Sequence, residues 1–565
     1  MFLESPTGFR LRLVVFFFAF AGVALAIFEP ALQGPFFSDD RFYIVHNPYL
    51  HELSWENTGA ILDPWGQHTR NTLNYAPAHM LAHALEWSLW GDTPFGYHVV
   101  NVVLHAVTSL LLVVLLYRHG VPFVAGVLGG AFFLLHPANV EAVAWISQLK
   151  TIMAVGFACA ALLAHPRHPA LGLAFFTLGL LSKASALFAL PVAAVLAWSA
   201  RSREDPWRAN VCWLLAWVLV FAVYAVPQFS AFQRMGGHEA VLPPDLLEMR
   251  TLAAIGARYL VMAATSYGVS AFHQPPVALS WLDPWWLGGL ILGALLAWRC
   301  IVTVWRRERE AAWWVWAGAA YLPTSQIFPF LYPMADRYLY CVLPGLIGAV
   351  LVGGTSWLRK VTPKDGGTAL LAGRNPLRIA AVASLLIAGV FGFRTSDRAQ
   401  LWEDDRAVLA DAAIHYPDGI WAHWLAAGRA AEQRDADTTV TELRASMERG
   451  FDQFIDIIAN PAYADVRDTL VFHQLIRDVT QAWIDRSHRR PNPTQVELRM
   501  RANAYAARGD FAEAVATLEE ALRVGGIQDA KVREELALVR SVVEAIRLSD
   551  GERTAEHARE EPDQQ

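Results

Sequence analysis

Charge is what this chain has least of. Only 17% of its 565 residues are Asp, Glu, Lys or Arg, against about 25% in ordinary soluble domains, so water alone is not its solvent. The shortage is uneven: charges are sparse up to about Phe393 and dense beyond it. Neither sign dominates, with 46 basic against 52 acidic residues and a net charge of −6. Without a basic stripe or a nucleic-acid motif, nucleic acid is excluded as a partner. Cysteine is equally scarce. Cys159, Cys212, Cys300 and Cys341 lie in or beside apolar runs, with no CxxC spacing. That excludes a disulfide framework and a zinc site, and the four read as small buried hydrophobes.

What is present is apolar. Hydrophobic residues make up 55% of the chain, and 22 tryptophans and 30 phenylalanines suit anchors at two membrane interfaces. A span needs about 20 mostly apolar residues. Candidates cover 13–28, 97–117, 121–135, 151–164, 171–181, 187–198, 211–226, 285–304, 313–330, 338–351 and 379–393. The predicted fold is all-α. It comprises a polytopic membrane domain of about eleven spans over 1–395, a helical-repeat domain over 396–549 and a disordered tail over 550–565.

Positive charges set the orientation. Arg10 and Arg12, Arg118, Arg167, the 201–208 loop, Arg306 to Arg309, and Arg359, Lys360, Lys364 and Arg378 fall in alternate loops. All are cytoplasmic together if an odd number of segments crosses, which puts everything after Arg394 outside. The predicted location is a bacterial inner membrane, with the N-terminus cytoplasmic and the C-terminal domain periplasmic. The apolar run 251–272 would break this parity and carries Arg258, so it reads as re-entrant or interfacial. The first segment reads as a retained span, not a cleaved signal peptide, because it leads directly into polar residues that need anchoring.

With this topology the unusual polar residues share the extracytoplasmic face. They are Asp39 and Asp40 after the first span, Tyr75 in the same outer loop, His136 and Glu141 beyond the third, and Lys150 before the fourth. Lys183 lies between the fifth and sixth, and Tyr332, Asp336 and Arg337 lie between the ninth and tenth. Ionisable groups at membrane depth cost about 2.5–3.5 kcal/mol each and are usually functional or paired. Their convergence suits glycosyl transfer from a polyprenyl-phosphate sugar. Arg337, Lys183 and Lys150 are candidates to stabilise the leaving phosphate. Asp39 or Asp40 is the candidate base for the acceptor hydroxyl, and Tyr75, His136, Glu141, Tyr332 and Asp336 are candidate substrate contacts.

Each has a plainer reading. Adjacent acids in a loop are ordinarily solvated, Asp336 beside Arg337 reads equally as a structural pair, and Lys183 and Lys150 can snorkel. His136 before Pro137 can simply cap a helix. His98, Asn101 and His105 share one helical face and read as hydrogen-bonded packing. No Asp/His set has metal-ligand spacing. No cofactor is named by the sequence, and participation of a divalent metal is left open.

These loops resemble the glycosyltransferase-C superfamily, specifically its membrane O-mannosyltransferase-like members with C-terminal tetratricopeptide repeats. The likeness runs through Asp39-Asp40, Asn74-Tyr75-Ala76-Pro77, Gly96-Tyr97-His98 with Asn101 and His105, and His136-Pro137 with Glu141. It continues through Leu181-Ser182-Lys183, Leu322-Pro323-Thr324-Ser325 with Phe328-Pro329, and Asp336-Arg337-Tyr338. The resemblance implies an inverting transferase using a lipid-phosphate sugar, with the first outer loop's acid at the catalytic centre. That acid maps to Asp39 or Asp40, Asp39 being slightly favoured. Ala76 stands where relatives often carry arginine, and Asp336 where animal members tend to carry glutamate.

Beyond Ser396 the chain turns polar. Residues 502–522, with Gly509-Asp510-Phe511 at the turn, fit one tetratricopeptide hairpin, and 415–450 shows a looser version. Between them, 461–476 carries Val466, Leu470, Phe472 and Ile476 in a looser apolar pattern. Such a stack would recruit an acceptor polypeptide, or would only stabilise or dimerise the enzyme. Three functions follow: a transferase acting on extracytoplasmic protein hydroxyls, a cell-envelope polysaccharide or lipid glycosyltransferase with the same donor, or a non-catalytic membrane scaffold. The acids and cations on one rim favour the first two.

Overall fold

The computed structural model describes residues 6–200, 207–233, 246–326, 332–361, 376–451, 453–489, 493–526 and 528–557. Among them there are helices and no strands, the all-α architecture expected. The chain divides by its own contacts into two compact units, the first made mainly of residues up to Tyr416 and the second of residues from Pro417 on.

Among the described residues, six helical segments of the first unit are long and apolar enough to cross a membrane: Gly8–Ile27, Phe95–Arg118, Ile146–Ala164, Asn210–Ala231, Pro284–Trp305 and Asp336–Lys360. The helices Pro169–Ser182 and Ala189–Ala200 are apolar but shorter. The 121–135 run is a broken element. Phe123–Leu134 ends at His136-Pro137, and the chain continues to Ala144 at an angle of 55°, because proline cannot donate to the preceding turn. The 251–272 run is helical over most of its length and is not among these long apolar segments. A regular helix, Leu246–Thr265, packs along Pro284–Trp305 and ends seven residues early. The two helices approach closely: a Cβ at Gly289 would fall 1.9 Å from the Ala253 carbonyl oxygen. Arg258 is not stranded in lipid, because its guanidinium lies 4.5 Å over the Trp285 ring. Of the cysteines, Cys159 and Cys341 are buried, but Cys212 is exposed and Cys300 half-buried, so the buried reading holds for two of the four.

The Phe95–Arg118 helix organises the polar end of this unit. His98 donates from Nε2 to the Gly34 carbonyl at 3.1 Å. Asn101 Nδ2 is shared among the carbonyls of Val143, Trp145 and Ile146, each at 3.2 Å. His105 bonds the Tyr340 hydroxyl at 2.9 Å and the Leu134 carbonyl at 3.1 Å. One helical face thus satisfies backbone groups of three irregular segments that would otherwise be buried and unpaired. Gly34 is required by contact, since a Cβ there would sit 2.3 Å from the Trp402 carbonyl oxygen.

The first unit extends past the expected boundary at 395. Pro376–Gln400 is one helix, and Asp405–His415 is tied to it by Arg398, which grips both carboxylate oxygens of Asp411. Ser270 donates to the same carboxylate at 3.3 Å. The second unit contains the helical hairpins Ile420–Glu432 with Ala436–Glu448 and Gln495–Arg508 with Phe511–Val524. Gly509, at φ +83°, turns the latter in the left-handed conformation that favours glycine. Leu498, Ala514, Leu518 and Val532 are buried together, the small residues permitting close approach. The last helix runs from Asp529 to His557, into the stretch expected to be disordered, and 558–565 lie outside the described residues, as do Phe328 and Pro329.

Candidate active site

The two adjacent acids have different surroundings. After the first helix the chain reaches Ser38, whose φ of 49° is left-handed and strained for a residue with a Cβ. This turn sends Asp40 inward and leaves Asp39 partly exposed. Asp40 is 1% exposed and accepts from the backbone N–H groups of Phe37 at 3.0 Å and Ser147 at 2.7 Å. Burial pushes its carboxyl up to about 7, against the pull of those hydrogen bonds. Asp40 is therefore the latch that ties the loop after the first helix to the segment before the Leu149–Ala164 helix. The charge of Asp39 instead reaches Lys150 and Tyr43.

Lys150 is buried, and its ammonium lies 4.7 Å over the Tyr43 ring, within electrostatic reach of Asp39, Arg337 and Asp40. Lys183 does not snorkel. Its Nζ donates to Thr151 Oγ1 at 2.7 Å, and Thr151 in turn donates to Gln148 Oε1 at 2.8 Å. Burial, with the charges of Lys150 and Arg337 adding to it, pushes the Lys183 ammonium down to about 7, while Cys341 and Glu141 oppose the shift. Neither lysine has an ion-pair partner among the described residues.

Arg337 is committed to the fold. Its backbone N–H donates to Glu141 Oε2 at 2.7 Å and its guanidinium pairs with Glu141 Oε1. The cation is boxed by the rings of Tyr332, Trp145 and Tyr338 at 5.0, 5.2 and 5.2 Å. Asp336 does not pair with Arg337 as its position suggested. It accepts from His273 Nε2 at 2.7 Å, and the Tyr416 hydroxyl bonds the other ring nitrogen of His273 at 2.8 Å.

Two expected substrate contacts are used elsewhere. His136 accepts from Ala138 N–H at Nδ1, 3.2 Å, and donates from Nε2 to the Ala263 carbonyl at 3.1 Å, so both nitrogens hold backbone. Tyr75 donates to the Leu62 carbonyl at 3.1 Å, and its N–H meets Gln228 at 3.0 Å beside Tyr224. Sequence reasoning missed His273, Thr151 and the Ser147 backbone. It also missed His79 and His83 on the Pro77–Trp90 helix, where the four-residue spacing was the available signal. No group of three or more His, Cys, Asp or Glu among the described residues could hold a metal ion.

Acids and cations from separate segments therefore meet at one place. The charge of Asp39 reaches Lys150, Lys183, just past the Pro169–Ser182 helix, bonds Thr151 next to Lys150, and Glu141–Arg337 stiffens the wall.

The curated relatives carry the same kind of name throughout. The chain is similar to animal protein O-mannosyl-transferases of the TMTC type. It is 31% identical over 160 residues to TMTC1 of Mus musculus, 26% of this chain and 16% of that protein. It is 33% identical over 156 residues to Tmtc1 of Drosophila melanogaster, 26% and 18% respectively. The match to F38B6.6 of Caenorhabditis elegans is 29% identical over 203 residues, 33% of this chain and 28% of that protein. The likeness thus spans between about a sixth and just over a quarter of these relatives' length. No family model and no solved structure matches.

Proposed function

We propose that this chain is an integral membrane, inverting glycosyltransferase that moves a sugar from a polyprenyl-phosphate donor to hydroxyl groups of an extracytoplasmic protein. The observation that carries the reading is the placement of two lysines without ion-pair partners beside an unlatched carboxylate. Asp39 takes the proton of the acceptor hydroxyl as its oxygen attacks the anomeric carbon. The bond from that carbon to the phosphate oxygen breaks on the opposite face, so configuration inverts. The phosphate gains one negative charge as it leaves, and Lys150 and Lys183 sit where that charge develops. No general acid is needed for such a leaving group. Asp40, Glu141 and Arg337 hold the geometry.

An apolar hollow lined by Leu260, Leu343, Ile347, Val350 and Ile387 runs along the helix that begins with Asp336 and Arg337. Leu343 lies six residues, about 9 Å, along that helix from Arg337, a wall suited to the lipid chain. The names of the relatives support a protein acceptor and a mannosyl-type transfer. On this reading the site faces the periplasm of a bacterial inner membrane, and the C-terminal hairpins present a tetratricopeptide-like groove to the acceptor polypeptide.

Mass spectrometry of extracytoplasmic glycoproteins, with and without the gene, tests this. Loss of one sugar mass from particular peptides is expected. An unchanged glycoproteome with altered surface polysaccharide would overturn the protein acceptor. Reporter fusions that place Asp39 and Arg337 on opposite sides of the membrane would overturn the site itself.

A further inference from the structure

The Pro77–Trp90 helix contributes a face that the reaction above does not use. His79, His83 and Glu86 stand at i, i+4 and i+7, so they share one side, and all three are buried, both histidines completely. His83 Nδ1 donates to Glu86 Oε2 at 2.5 Å, which fixes its tautomer. The rings of His79 and His83 are 4.4 Å apart in a T-shaped contact. Neither ring nitrogen of His79 makes a formed hydrogen bond, and neither does Nε2 of His83. Only the Ser147 main chain lies close enough to favour the charged form of His79. Buried polar atoms in a folded protein are nearly always paired, so nitrogens left without a well-formed bond on one face, with only the Ser147 main chain beside His79, call for a bound group that supplies partners.

The surroundings say which kind. The His79 ring meets the edge of Tyr43 at 6.3 Å, and Lys150 lies over that same Tyr43 ring. The main chain of Ser147, which holds Asp40, also faces His79. This face therefore borders the acid and the two lysines. Burial first, then the charges of His83, Lys150 and Lys183, holds His79 neutral by lowering its proton affinity well below the usual range. A neutral imidazole offers one donor and one acceptor. A phosphate or carboxylate, which only accepts, cannot use the acceptor nitrogen. A sugar hydroxyl uses both.

Resting on the proposed transfer, we infer that His79 binds ring hydroxyls of the transferred sugar and so selects which sugar is used. A site built to hydrogen-bond a hydroxyl rejects the analogue lacking it far more strongly than an apolar pocket distinguishes a methylene.

The test uses the full chain in nanodiscs with polyprenyl-phosphate hexoses that are epimers or monodeoxy derivatives of one another. Wild type should discriminate against at least one monodeoxy donor by a hundredfold or more. His79→Ala should raise the KM for the preferred donor about tenfold or more and shrink that discrimination to a few-fold, with kcat falling less. His79→Gln, which keeps a donor and an acceptor, should restore part of the preference, and it serves as the reading if His79→Ala does not fold. Transfer by folded variants with unchanged KM and unchanged discrimination would overturn this inference alone. If wild type transferred no sugar from any donor, the underlying reaction would fall and this inference with it.

Discussion

The Ser147 backbone N–H donates to Asp40 Oδ1 at 2.7 Å, across 107 positions of sequence. This bond latches one of two neighbouring acids into the fold and leaves the other free for the proposed reaction. Asp40 is buried and doubly hydrogen-bonded, whereas Asp39 is turned toward Lys150.

Asp40→Asn is expected to destabilise the protein by about 1–3 kcal/mol, since an amide cannot accept both N–H groups without turning a donor toward one of them. The sign of its pH dependence follows from the raised carboxyl. With an affinity near 7 in the folded chain and 3.8 as the ordinary value, the folded state binds the extra proton between those limits. The stability Asp40 contributes is fully present at the acid end and falls as pH rises through 7, by at most about 1.4 kcal/mol per pH unit. Melting of wild type and Asp40→Asn in detergent from pH 4.5 to 8 checks this, and a gap that does not move with pH would refute it.

Burial pushes the Lys183 ammonium down to about 7, and in the proposed reaction its charge holds the donor phosphate. Donor KM should therefore rise as pH increases from 6 to 8.5, because the ammonium is lost through that window. Lys183→Arg keeps its charge throughout and should flatten the profile even if its absolute rate is lower.

Glu141 and Arg337 form a buried pair between segments 196 positions apart. Removing one partner leaves the other charge uncompensated, which costs about 3–5 kcal/mol. Glu141→Gln and Arg337→Ala should both lower the melting temperature strongly. Asp39→Asn, which touches no such pair, should not.

Gly34→Ala should destabilise by about 1–3 kcal/mol through overpacking, because the new Cβ would lie 2.3 Å from the Trp402 carbonyl oxygen. A melting temperature equal to wild type would contradict that contact.

Much of the fold was legible because lipid demands long apolar helices, and long apolar runs are visible in a sequence. The shared face of His98, Asn101 and His105 was legible for the same reason, since helical spacing alone places them together. The roles of individual charges were not. Whether Asp39 or Asp40 is buried depends on one left-handed residue, Ser38, and on a backbone group far along the chain. The partners of Arg337 and Asp336 are Glu141 and His273, chosen by tertiary packing, while their sequence adjacency suggested each other. His136 read equally as a cap and as a substrate contact, and its Nδ1 caps the break. His79 and His83 were masked by the apolar residues around them, and only the structure shows His83 bonded through Nδ1 to Glu86 while its Nε2 is left without a formed bond.

The most direct measurement is the initial rate of sugar transfer by purified Asp39→Asn in proteoliposomes supplied with a polyprenyl-phosphate sugar and an acceptor peptide. The account predicts a fall of about 10²–10⁴-fold in kcat, with donor KM and melting temperature close to wild type. A rate equal to wild type from the folded variant would remove the catalytic base from this site and contradict the mechanism.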